Sequence, residues 1–216
     1  MEQQLAWERQ PDNRQWLKPE GDDPRTLYQM LMTSVERFAD NPCFGFIPEK
    51  GMPRVHMSYG EFGELATSVG KQLRDVGVEA GDRVAMILNN SVEWAAISYG
   101  ANAIGAAYTA MYTHQHGSEW AFILEDSTPS MIAVSDTEIL DKLIENMPED
   151  AAKWPKCGVL LLGNEPANQL PPEGVVVHER ASFVAAGRAS EAAIEIADDP
   201  FALNTLIYTS GTTGNP

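Results

Sequence analysis

The chain has 216 residues, 44% hydrophobic and 21% charged, an ordinary globular make-up with room for one large domain or two small ones. Its formal net charge of −16 argues against a nucleic-acid binder, which needs clustered Lys and Arg, and against docking on anionic membrane surfaces. Two cysteines, Cys43 and Cys157, lie far apart without metal-ligand spacing, form no disulfide framework and fit a reducing, cytoplasmic setting.

Residues 1–25 are polar and proline-punctuated, lack the basic start and apolar core of a signal peptide, and read as a loosely ordered lead-in. Thr26 is placed to cap a helix whose face carries Leu27, Met30, Leu31, Val35 and Phe38. Two short strands are expected at Cys43–Ile47 and Arg54–Met57, joined through a turn at Glu49-Lys50-Gly51. Ser58 and Glu61 form a capping box for a helix carrying Phe62, Leu65, Ala66, Val69, Leu73 and Val76, which stops at Gly77.

The continuous apolar run Val84–Leu88 suits a strand buried on both faces, and Ser91 can cap the helix that follows. Strands are then expected at Ala106–Met111 and Met131–Val134, and helices at Ser118–Glu125 and Thr137–Asn146. The uncharged stretch Trp94–Ser118 is rich in Ala, Gly, Thr and Asn, so it reads as a buried helix and strand, not a membrane span. Further strands are read at Gly158–Leu162 and Val175–Val177, a helix at Glu179–Ala193, and a last strand at Leu203–Tyr208. This alternation implies an α/β fold: a parallel sheet flanked by helices on both faces.

The last strand delivers Tyr208-Thr209-Ser210-Gly211-Thr212-Thr213-Gly214-Asn215-Pro216. Glycines let the backbone bend close to an anion, and the hydroxyls add donors, so this loop suits a phosphate chain. It lacks the Gly-Lys-Ser/Thr ending of a Walker A loop and the spacing of a dinucleotide fingerprint. The string resembles the phosphate-loop motif of adenylate-forming (AMP-binding) enzymes, in which Lys-Gly follows the proline.

Other segments resemble the same family. Ser58-Tyr59-Gly60-Glu61-Phe62 is similar to its Thr-Tyr-x-Glu-Leu helix start. Gly77-Val78-Glu79-Ala80-Gly81-Asp82-Arg83-Val84-Ala85 resembles its strand entry, and Asn89-Asn90-Ser91-Val92-Glu93-Trp94 the helix start after it. Gly105-Ala106-Ala107-Tyr108 through Met111-Tyr112, then Asp126-Ser127 and Val134-Ser135-Asp136, fall in register, although Ala110 stands where the family often has proline. The likeness covers residues 26–216, the N-terminal part of an AMP-binding domain ending inside the phosphate-loop motif.

The resemblance implies the N-terminal subdomain of the adenylate-forming fold and, from the segments around Trp94 and Tyr108, a long-chain fatty acid–CoA ligase. Such an enzyme joins a carboxylate to ATP as acyl-AMP and passes the acyl group to coenzyme A. It implies ATP phosphate contacts from Thr209, Ser210, Gly211, Thr212, Thr213 and Gly214, with Thr209 linked to Mg²⁺. The expected partners are the small molecules fatty acid, ATP and CoA; peripheral membrane association and oligomeric state are left open. Because the family's later motifs are absent, this chain alone is expected to carry no catalytic residue and no activity. Two alternatives stand beside it: an inactive binding module, and an aryl- or aminoacyl-adenylating relative.

Several other residues have simpler readings. His114 and His116 lack a third ligand nearby and read as part of a polar loop before a helix. Trp94 and Trp120 read as core, Asp82 as a turn aspartate, Cys43 and Cys157 as inert thiols, and the acidic run Glu191, Glu195, Asp198, Asp199 as a solvated helix end.

Overall fold

A computed structural model describes residues 26–47, 51–191, 194 and 196–209. The lead-in, Glu49 and Lys50 of the expected turn, Ala192 and Ala193 of the expected helix end, Glu195 and the loop from Ser210 onward lie outside the described residues.

Helix α1 spans Leu27–Phe38, and its cap is the one expected: the Thr26 hydroxyl accepts the Gln29 N–H at 3.1 Å while the Gln29 side chain accepts the Thr26 N–H at 2.9 Å. Strands β1 (Pro42–Phe46) and β2 (Val55–Ser58) pair antiparallel as a separate two-stranded ribbon. Helix α2 spans Tyr59–Asp75 and is closed at its start by the Ser58–Glu61 capping box. Gly77, at φ 103°, then turns the chain through a left-handed conformation open chiefly to glycine.

The remaining strands build the expected parallel sheet. They are β3 (Arg83–Ile87), β4 (Ala107–Met111), β5 (Met131–Val134), β6 (Val159–Leu161), β7 (Val177–Glu179) and β8 (Thr205–Leu206). Their order is β7-β6-β5-β3-β4-β8, and every neighbouring pair is parallel. Between them run α3 (Val92–Ala103), α4 (Gly117–Ser127), α5 (Thr137–Asn146) and α6 (Arg180–Ala189).

Alternation along β3 shows how both sheet faces are covered. Val84 and Met86 join the core formed with α2, α3 and α6; Ala85 and Ile87 join a second core with Trp120, Ile123 and Leu124 of α4 and Leu140 and Leu143 of α5. Among the described residues the buried polar side chains are Ser, Thr and Asn, none of them charged. Helix α2 wedges between α3 and α6, and the approaches are close because they are made over glycine. A Cβ on Gly70 would lie 2.9 Å from the Gly100 carbonyl oxygen, and one on Gly187 would lie 2.0 Å from that of Ser68.

Strands β1, β2, β3, β4 and β6 each have an end one residue from the expected position, α4 runs on to Ser127, and four further departures have local causes. Helix α4 begins at Gly117, with His116 in the cap position, because Glu119 reaches back to accept the His116 N–H at 3.0 Å. Val175 is held in a turn by its N–H to the Pro172 carbonyl, so β7 begins at Val177 and takes Glu179 from the expected helix. Helix α6 ends at Ala189, where Ser190 becomes extended, so Glu191, Asp198 and Asp199 are exposed beyond the helix, not at its end. The last strand shrinks to Thr205–Leu206, which has β4 on one side and no strand on the other among the described residues.

Candidate active-site region

In a parallel α/β sheet, ligands bind beyond the carboxyl ends of the strands, where loops leave toward opposite faces. Here β4 and β8 lie side by side with their carboxyl ends pointing the same way, and Thr209 follows shortly after β8. Thr209 is exposed, and its hydroxyl is a hard oxygen donor of the kind Mg²⁺ accepts. Ser210, Gly211, Thr212, Thr213 and Gly214 lie outside the described residues.

Side chains reinforce a ladder only two residues long. The buried Thr109 hydroxyl donates to the Leu206 carbonyl at 3.0 Å. Asn102, at the end of α3, donates to the Asn204 and Ala106 carbonyls, while the Asn204 amide donates to the Asn102 side chain at 2.6 Å. The Tyr108 N–H adds a bond to the Asn204 carbonyl at 3.1 Å. Beyond the strand, the Tyr208 hydroxyl donates to Asp126 at 2.5 Å. Burial first, then the hydrogen bond and negative charge of Asp126, push the Tyr208 pKa up to about 12, against smaller downward effects of Ser127 and Arg83. Tyr208 therefore stays a neutral donor at any physiological pH.

The loop after β4 is tied down beside this stem. Gln115 accepts the Tyr112 N–H at 2.9 Å, the indole of the fully buried Trp120 donates to the Tyr112 carbonyl at 3.0 Å, and Thr113 donates to Asn89 after β3 at 3.0 Å. Lys142 donates to the Gln115 carbonyl and sits 4.3 Å from the Trp120 ring centre. His114 and His116 are exposed on this loop, and the described residues contain no cluster of three or more His, Cys, Asp or Glu. Trp94 is half-buried, edge-on to Tyr108 at 5.6 Å, so both tryptophans pack as core.

At the start of β3, the Gly81-Asp82-Arg83 segment is structural. Asp82 accepts the Glu79 N–H at 3.0 Å and pairs with Lys156 at 3.1 Å. Burial pushes its carboxyl up, but hydrogen bonds from Ser130, the Glu79 N–H and Lys156 outweigh it and hold the pKa below the usual range. Arg83 spreads its guanidinium over the Ser127, Thr128 and Gly81 carbonyls and the Thr128 hydroxyl at 2.6–3.0 Å. Both thiols are free, and burial raises the pKa of each; Cys157 is buried and Cys43 half-buried.

A groove of about 840 Å³ opens between α3 and α6, floored by Val69, Ile97, Leu160 and Phe183. The Arg180–Glu93 ion pair, 2.6 Å long, joins the starts of those helices. Sequence reading singled out none of Asn102, Thr109, Asn204 or the Asp126–Tyr208 pair as site-forming.

No described helix is long and apolar enough to cross a membrane. The chain is 27% identical over 224 residues to the long-chain-fatty-acid–CoA ligase ACSBG1 of Bos taurus, covering 99% of this chain and 29% of that one. It is 28% identical over 162 residues to the long-chain-fatty-acid–CoA ligase FadD13 of Mycobacterium tuberculosis, covering 75% of this chain and 29% of that one. It thus spans less than a third of the length of these curated relatives. Among solved structures, the N-terminal domain of FACL13 from Mycobacterium tuberculosis superposes with a TM-score of 0.61 at 25% identity, over 86% of this chain and 42% of that one. The adenylation domain of a carboxylate reductase from Mycobacterium chelonae shares the fold at a TM-score of 0.73 and 22% identity, over 93% of this chain and 34% of that one. The six-stranded parallel sheet with its flanking helices matches the N-terminal domain of adenylate-forming enzymes. A family model for AMP-binding enzymes matches residues 31–216, and the chain belongs to that family.

Proposed function

We propose that residues 26–216 are the N-terminal part of the AMP-binding domain of an ATP-dependent fatty acid–CoA ligase of the long-chain type, preceded by the lead-in 1–25. The observation that carries this reading is Thr209 leaving the carboxyl edge of a parallel sheet, next to β4, inside a family match that runs through the glycine- and hydroxyl-rich loop. In the parent enzyme a carboxylate attacks the α-phosphate of ATP, pyrophosphate leaves, and CoA thiol then displaces AMP.

This chain's share is binding. Ser210, Gly211, Thr212, Thr213 and Gly214 hold the β- and γ-phosphates through backbone N–H and hydroxyl donors, and Thr209 lends its hydroxyl to Mg²⁺. The ion supplies charge neutralisation on the phosphate oxygens. Held donors of this kind stabilise charge that grows during phosphoryl chemistry. A cytoplasmic setting belongs to the same reading and rests on the free thiols. The fatty-acid preference rests on the likeness to long-chain-fatty-acid–CoA ligases.

Carboxylate-dependent ATP–pyrophosphate exchange tests the proposal. The 216-residue chain should show none above background, and measurable exchange would overturn its assignment as an incomplete site. The coding sequence after Pro216 should continue with Lys-Gly, and a stop codon there sinks the parent-ligase reading. Exchange by the parent with aryl or amino acids in preference to long-chain fatty acids would replace the substrate assignment.

A further inference from the structure

The Asp126–Tyr208 hydrogen bond joins residues 82 apart in sequence and ends one residue before Thr209. Tyr208 is also packed against the second core. Its acceptor is unusually well fixed for a residue near a helix end. Asp126 sits next to Ser127 and Thr128, whose carbonyls are both held by Arg83. Thr128 itself has φ 44°, the one non-glycine residue with positive φ among the described residues. A non-glycine left-handed cap is costly and persists only where its surroundings hold it; here the Arg83 fork does so. On the other side, β8 contributes only two ladder residues. The chain leaving the sheet is thus tied to β4 by a short ladder and the Thr109 hydroxyl, to α3 through Asn102 and Asn204, and to α4 by the Tyr208 phenol.

We propose that Tyr208 and Asp126 are positioning residues: the phenol–carboxylate bond, anchored through Arg83, sets where Thr209 leaves the sheet. The inference rests on the phosphate-loop reading for its purpose, but not for its geometry. A loop that must present several donors to one phosphate chain gains from a stem fixed on two sides, because a displaced stem moves every donor together.

Hydrogen exchange on the full chain separates this role from general stabilisation. Tyr208→Phe keeps the packed ring and removes the hydroxyl. It should speed exchange of amides 205–209 at least tenfold while α2, β3 and β5 keep their protection. Asp126→Ala should do the same, and Asp126→Asn, which retains an acceptor oxygen, should restore most of the protection. Unchanged exchange at 205–209 in Tyr208→Phe, or acceleration spread evenly over the chain, overturns the latch. Mg²⁺ with inorganic pyrophosphate is the ligand arm. Pyrophosphate should slow exchange of the wild-type loop and bind Tyr208→Phe several-fold more weakly; equal affinity overturns the positioning role. Selective loosening of 205–209 in Tyr208→Phe with no pyrophosphate effect on the wild type keeps the latch and overturns the phosphate reading alone.

Discussion

Gly70 on α2 and Gly100 on α3 occupy each other's side-chain space: a Cβ on either would come within 2.9 Å of the other's backbone. Backbone cannot swing aside as a flexible side chain can, so any substitution must push the helices apart. Gly100→Ala is expected to destabilise the fold by about 1–3 kcal/mol, the usual range for overpacking. Gly187→Ala, which would put its Cβ 2.0 Å from the Ser68 carbonyl, should cost at least as much. Urea midpoints at constant m-value check both, and wild-type midpoints would refute the close packing.

Arg83 should not be replaceable by lysine. The fork reaches the Ser127, Thr128 and Gly81 carbonyls together, and an ammonium on a flexible stem cannot. Arg83→Lys should cost about 1–3 kcal/mol, the range for losing charged hydrogen bonds. The loss should be accompanied by faster exchange at the Thr128 N–H, which donates to Leu124 at the end of α4.

Asp82 predicts a pH dependence with a definite sign. Its folded-state pKa is lowered, so its contribution is complete above the ordinary carboxylate range and fades as pH falls through the folded value. Asp82→Asn should therefore be less stable than wild type at pH 7, and the difference should shrink steadily below pH ~4. Denaturation midpoints of both proteins across that range decide the matter. A gap that is constant with pH would mean that the carboxylate charge is irrelevant.

Asn102 and Asn204 predict a local effect. Replacing Asn102 with Ala removes a donor to two carbonyls and strands the Asn204 amide, at a cost of about 1–3 kcal/mol. Exchange should rise first in residues 203–209 and at the Tyr108 N–H. If α3 loses protection before β8 does, the asparagine serves the helix and not the strand.

What could be read in the chain beforehand follows from the range of the forces involved. Strand β5 and helix α5 were legible to the residue, since Met131–Val134 is a clean apolar run and Asp136 caps the next helix through the Ile139 N–H at 2.9 Å. Local turn and cap chemistry decided these. Helix α4 starts a residue before its expected position because Glu119 reaches back to the His116 N–H, a role a histidine does not advertise. Strand β8 is shorter than its apolar run predicts, because such a run does not say whether the strand has one neighbour or two. Of the proposed phosphate site, the loop is legible as a string of glycines and hydroxyls. Its stem contacts, Asn102 with Asn204 and Asp126 with Tyr208, span 102 and 82 residues and leave no local pattern.

The outer side of β8 has a consequence for handling the protein. Among the described residues no strand covers this rim, which lies beside exposed Leu203 and Ile207, 54% and 78% accessible, so there it offers backbone groups and apolar surface together. Such a rim is a template for another strand. What opposes it is the formal charge of −16, which makes molecules of this chain repel one another. Salt removes that protection: at ~0.15 M the screening length falls to about 8 Å. Colloidal stability should accordingly fall as salt is added, the reverse of the behaviour of a basic protein bound to nucleic acid. Light scattering that rises with sodium chloride, and is suppressed by a lysine at Ile207, would locate the sticky rim.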